Sequence, residues 1–120
     1  DPDIVVFPDI GAARRYTLCD VPVALLEKER NQITGKITRL KVFTGAHKVA
    51  TAKKALLIDD ICDGGATFIM AAEALREQNL KLDVHLAVTH GIFSRGVEPL
   101  TQAGITIHCH RFFKLERGIE

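Results

Sequence analysis

A chain of 120 residues, 47% apolar and 26% charged, is long enough to bury a core and has the balance of an ordinary globular domain. Sixteen basic against fifteen acidic residues leave a formal charge of 16 − 15 = +1, which gives no bulk attraction to nucleic acid or to an anionic membrane. No apolar run approaches the roughly 20 residues that cross a bilayer, and three scattered cysteines (Cys19, Cys62, Cys109) make neither a disulfide framework nor a zinc site.

The start, Asp1-Pro2-Asp3, lacks the basic opening of a secretory signal. With unpaired cysteines, this reads as a reducing, cytoplasmic compartment. The first predicted element, Ile4 to Phe7, is continuously apolar, as expected of a strand buried on both faces of a parallel sheet. A buried strand so near the first residue suggests a piece of a longer chain. Val23 to Leu26 is a second apolar run. Ile33 to Val42 alternates loosely around Gly35 and reads as a flexible loop leading into half of a hairpin. Gly45 to Lys54 is polar, basic and without period, and is predicted to be an exposed connection.

Ala55 to Ile58 is a third buried strand. The spacing of Phe68, Ala72, Leu75 and Asn79 predicts a helix over Phe68 to Leu80, with Glu73, Arg76 and Glu77 facing solvent. Val84 to Val88 is a fourth strand, so a βαβ unit with a right-handed crossover is expected. A short helix at Pro99 to Ala103, ended by Gly104, precedes a last strand at Ile105 to His110. The expectation is a single α/β domain over 1–120, a mostly parallel sheet flanked by helices.

Polar residues gather after each strand: Pro8-Asp9-Ile10-Gly11, Glu27-Lys28-Glu29-Arg30, Asp59-Asp60 and Thr89-His90-Gly91. Parallel strands would bring all four clusters to one edge, where open α/β sheets bind ligands. The string Asp59-Asp60-Ile61-Cys62-Asp63-Gly64-Gly65-Ala66-Thr67 is the most specific. Helix N-termini carry unpaired N–H groups and partial positive charge, and glycines let several donors face one phosphate. Thr67 adds a hydroxyl. Asp59 and Asp60 are acceptors suited to vicinal sugar hydroxyls or to a hydrated divalent cation. A sugar-phosphate pocket is the reading; an acidic cap on an ordinary strand–helix turn is the plain alternative.

Ile58 to Thr67 resembles the phosphoribosyl pyrophosphate motif of type I phosphoribosyltransferases and phosphoribosyl pyrophosphate synthetases. Three segments are similar to the synthetases in particular. Phe7-Pro8-Asp9-Ile10-Gly11 with Arg14-Arg15 resembles their Pro-Asp-x-Gly turn. Lys28-Glu29-Arg30 resembles the Lys-x-Arg start of their catalytic loop, and Thr89-His90-Gly91-Ile92-Phe93-Ser94 their Thr-His-Gly-x-Phe-Ser segment. The resemblance runs from about Asp3 to Ile107, in family order.

The resemblance implies a type I phosphoribosyltransferase-like fold and ribose-phosphate pyrophosphokinase activity: transfer of the β,γ-pyrophosphoryl group of ATP to ribose 5-phosphate, with Mg²⁺, releasing AMP. It implies that Asp63, Gly64, Gly65, Ala66 and Thr67 hold the 5-phosphate, that Asp59 and Asp60 bind ribose hydroxyls, and that Asp9 lies near the metal and pyrophosphate. Lys28 and Arg30 would be the catalytic cations over the transferring group. It also implies an absent N-terminal domain, so that this half alone is inactive, and a homo-oligomer. Departures are Ala12 after the first turn, Gly64 where Thr is frequent, Ala66 where Gly is usual, and a longer connection over Gly45 to Lys54.

Other readings remain for single residues. Asp9 also suits a plain turn, Lys28 and Arg30 a solvated face, and His90 a loop-pinning role. His108 and His110 share a strand face and suit either a metal with a third ligand or an ordinary sheet edge. For the whole chain, the other readings are a phosphoribosyltransferase and a non-catalytic regulatory homologue of the synthetase.

Overall fold

In a computed structural model, which describes residues 2–8 and 21–112, the apolar runs assemble into one six-stranded sheet. The strands are β1 (Ile4–Phe7), β2 (Val23–Arg30), β3 (Ile37–Thr44), β4 (Lys54–Cys62), β5 (Asp83–Gly91) and β6 (Ile105–Phe112). The helices are α1 (Ala46–Thr51), α2 (Ala66–Gln78) and α3 (Glu98–Gln102). Spatial order is β3-β2-β1-β4-β5-β6, with only the β2–β3 pair antiparallel.

Strand alternation divides the sheet into two faces. Ile4, Val6, Ala24, Leu26, Leu57, Val84 and Leu86 form a single cluster with Phe68, Ala71, Ala72 and Leu75 of α2, Val49 of α1 and Leu100 of α3. All three helices among the described residues thus cover one face. Val5 and Phe7 point the other way, packing with Val21, Leu25 and Ile58. Burial on both sides is why Ile4 to Phe7 has no polar alternation. Because β1 pairs with β2 on one side and β4 on the other, its carboxyl end marks the topological switch point of the sheet.

The four apolar runs become strands at the expected places, but β2, β4 and β5 continue through their polar ends. Lys28 pairs with Leu40 and Arg30 with Ile37, so both cations stand on a strand of the β2–β3 hairpin. Exposed ion pairs from Arg39 to Glu29 and Glu77, and from Lys41 to Glu27 and Glu29, bracket that ladder. The turn closes on Asn31, whose Oδ1 accepts from the N–H groups of Ile33 and Thr34.

Gly45 to Lys54 contains a helix, which corrects the expectation of an exposed connection. Val49 is its single buried residue, too sparse a signal for a period. The amide of Asn79 secures its end, donating to the carbonyls of Val49 and Ala52 at 3.0 and 2.7 Å. Asn79 is therefore the cap beyond α2, with extended backbone, and Leu80 is 87% exposed. The helix predicted over Phe68 to Leu80 thus begins and ends two residues earlier.

His108 is tied into the sheet edge. Its Nε2 lies 2.9 Å from Nδ1 of His85, whose Nε2 lies 3.0 Å from the Asp83 carboxylate. The side chain of His110 and the whole of Cys19 lie outside the described positions. Among the described residues, no group of three or more His, Cys, Asp or Glu is placed to hold a metal, and no helix is long and apolar enough to cross a membrane.

Candidate sugar-phosphate site

The hollow at the switch point has a volume of about 340 Å³ and is lined by Lys28, Asp59, Asp63, Gly64, Gly65, Ala66, Thr67 and Phe68. Seven of these eight are sequence candidates. They come from β2 on one side of β1 and from the β4–α2 turn on the other, joined because β1 is short and the sheet order reverses there.

The turn is built by Gly65, whose φ of +89° lies in the left-handed region that side chains disfavour. It opens α2 without a side-chain cap and with no acidic residue in the first turn. N–H groups of Phe68 and Ile69 bond back to the Gly65 carbonyl, which leaves the earliest donors of the helix to an incoming anion. A Cβ on Gly65 would stand 3.3 Å from Leu100 of α3, so the turn is also packed from behind.

Asp59 reaches the hollow from β4, and its Oδ1 accepts from the backbone N–H of Asp60 at 2.8 Å. Asp60 is half-buried and does not line the hollow; alternation puts it with Ile58 on the other face. Arg30 is likewise apart, donating from Nη1 to the carbonyl of Gly35 at 3.0 Å. Asp9, Arg14 and Arg15 lie outside the described residues. Cys62, buried beneath the turn, has its thiol pushed up to about 12 by burial, then by the negative charges of Asp63, Cys109 and Asp59. It stays protonated and is no nucleophile at neutral pH.

Two carboxylates lining one hollow suit Mg²⁺, which prefers oxygen donors and is usually held by one or two carboxylates plus substrate phosphates. The donor set of Asp59 and Asp63 fits that role.

The motif after β5 ends at Ser94, and the structure ties it to the β4–α2 turn. Ile92 and Phe93 donate to the carbonyl of Cys62 at 2.8 and 3.2 Å, and Ser94 to that of Asp63 at 3.2 Å. Gly91 permits this closeness, since a Cβ there would stand 2.0 Å from the Phe93 ring. Arg95 is carried to the side of Gly64. Its one signal in the sequence was a lone basic residue past the motif.

No protein-family model matches the chain. It is 34% identical over 105 residues to a ribose-phosphate pyrophosphokinase of Cereibacter sphaeroides, covering 83% of this chain and 30% of that protein. It is 38% identical over 98 residues to ribose-phosphate pyrophosphokinase 4 of Saccharomyces cerevisiae, covering 78% and 28%. The chain thus spans under a third of the length of these curated relatives. Among solved structures, phosphoribosylpyrophosphate synthetase from Mycobacterium smegmatis superposes with a TM-score of 0.69 at 28% identity, over 95% of this chain and 41% of that one. Orotate phosphoribosyltransferase from Aeropyrum pernix, at 13% identity and a TM-score of 0.58 over 92% of this chain and 59% of that one, shares the fold. By sequence over about four-fifths of its length, and by its phosphoribosyltransferase-type fold, the chain groups with a domain-sized part of the ribose-phosphate pyrophosphokinases.

Proposed function

We propose that this chain is the ribose-5-phosphate-binding half of a ribose-phosphate pyrophosphokinase, which transfers diphosphate from ATP to ribose 5-phosphate. The observation that carries the reading is the one hollow in which Lys28, Asp59 and the turn Asp63 to Thr67 meet at the start of a helix. The names of the relatives supply the reaction.

In this reading the 5-phosphate lies against the first-turn N–H groups of α2 and the Thr67 hydroxyl. Asp59 accepts from the ribose hydroxyls, and Asp60, on the other face of β4, supports it through the backbone N–H that Asp59 Oδ1 accepts. The C1 hydroxyl then faces Lys28, whose ammonium offsets the charge spread over the transferring phosphoryl oxygens. Arg30 joins it from farther along the strand once its bond to Gly35 is released. Asp59, Asp63 and Asp9 are the proposed ligands of Mg²⁺, which when bound neutralises the diphosphate. Much of the adenine-nucleotide site falls to an N-terminal domain and a neighbouring copy in a homo-oligomer. A cytoplasmic setting suits these phosphorylated substrates. Incubating the full-length protein with ATP, Mg²⁺ and ribose 5-phosphate should release AMP only when the sugar phosphate is present; AMP release that ignores the sugar, or none at all, would refute the reading.

A further inference from the structure

We infer that Arg95 is a further phosphate-binding residue of this pocket, supplying a positive charge that the turn itself lacks. The inference rests on the sugar-phosphate reading above. The turn Asp63-Gly64-Gly65-Ala66 contains no basic side chain. Among the described residues, the hollow is lined by two carboxylates, Asp59 and Asp63, against one ammonium, Lys28. A phosphate dianion entering such a pocket gains from helix donors but meets a surplus of negative charge, so another cation within reach strengthens binding.

Arg95 is placed for that task by backbone geometry. Three hydrogen bonds, from the N–H groups of Ile92, Phe93 and Ser94 to the carbonyls of Cys62 and Asp63, lace its segment to the turn. Phe93 has φ of +50°, a left-handed conformation that costs free energy in a bulky residue and is held here by a buried ring. The segment closes with Gly96 N–H donating to the Phe93 carbonyl at 2.7 Å. Arg95 thereby projects beside Gly64, where its Nε would lie 3.9 Å from an added Cβ. Gly64 lines the hollow and carries no side chain that would stand between it and the guanidinium. Arg95 is exposed and does not itself line the hollow, so rotation of its long side chain past Gly64 completes the contact. Among the described residues, no hydrogen bond or ion pair holds its guanidinium elsewhere. A planar fork can then bind two phosphate oxygens at once.

The test is calorimetric titration of the full-length protein with ribose 5-phosphate, ribose and inorganic phosphate, comparing wild type with Arg95→Ala, Arg95→Lys and Thr67→Ala. Arg95→Ala should weaken ribose 5-phosphate and inorganic phosphate by about ten- to a hundredfold, the loss of one charge-assisted contact, and leave ribose unchanged. Arg95→Lys should recover part of the loss. A melting curve equal to wild type, expected for an exposed side chain, excludes misfolding as the cause. If Thr67→Ala weakens ribose 5-phosphate but Arg95→Ala does not, the inference falls and the pocket reading stands. If wild type binds ribose 5-phosphate no better than ribose, both fall together.

Discussion

At the scale of single residues, the site depends on a few side chains whose effects are separable. Among the described residues Lys28 is the one cation lining the hollow, so Lys28→Ala in the full-length protein should lower kcat by about 10²–10³-fold, the usual effect of losing one transition-state donor. Ribose 5-phosphate binding should change little, and steady-state kinetics beside calorimetry read both quantities. A regulatory homologue would show no such split. Between the acidic neighbours, Asp59→Asn should weaken ribose 5-phosphate more than Asp60→Asn, because only Asp59 lines the hollow; equal losses would contradict the strand alternation.

Cys62 gives a pH prediction. Its thiol ionises near 9 when unfolded and at about 12 when folded. Below pH 9 both states keep the proton and it contributes no pH dependence. Between 9 and 12 the unfolded chain binds fewer protons, so stability falls as pH rises, by at most about 1.4 kcal/mol per pH unit. Urea melts from pH 8.5 to 10.5 should show a shallower decline for Cys62→Ala than for wild type. Parallel curves would contradict the assignment.

At the scale of elements, the β4–α2 turn is the most constrained local structure in the site. Gly65 combines φ of +89° with a wall of Leu100 atoms 3.3 Å from a would-be Cβ. Gly65→Ala should therefore destabilise by about 1–3 kcal/mol, measured by urea unfolding, and weaken sugar-phosphate binding in parallel. This element was readable because buried strand, acids, glycines and helix follow one another without interruption. The β2 end was less so. Glu27-Lys28-Glu29-Arg30 is a charged run after an apolar one and equally suits a solvated face, and only pairing with β3 makes it strand. α1 escaped notice because one buried valine in a basic stretch has no period.

At the scale of the molecule, a parallel sheet was legible from the continuously apolar runs Ile4 to Phe7 and Ala55 to Ile58, and the hairpin from Gly35 and the residues around it. Sheet order was not. The reversal at β1, which joins Lys28 to the β4–α2 turn, is a tertiary fact with no local sequence mark. Arg95 was missed for the same reason, since its link to Gly64 runs through backbone bonds between residues 30 or 31 positions apart. The chain spans about 30% of its first relatives, and the isolated 120 residues should bind ribose 5-phosphate weakly and release no AMP from ATP, an expectation checked by assaying fragment and full-length protein side by side.

The central claim is that an anionic sugar ester rests on the start of α2. The direct measurement is a crystal structure of the full-length protein soaked in ribose 5-phosphate. It should place the phosphate oxygens about 2.7–3.2 Å from the backbone nitrogens of the Gly65 to Thr67 turn, with the ribose toward Asp59. A sugar phosphate bound elsewhere while that turn stays vacant would contradict the account.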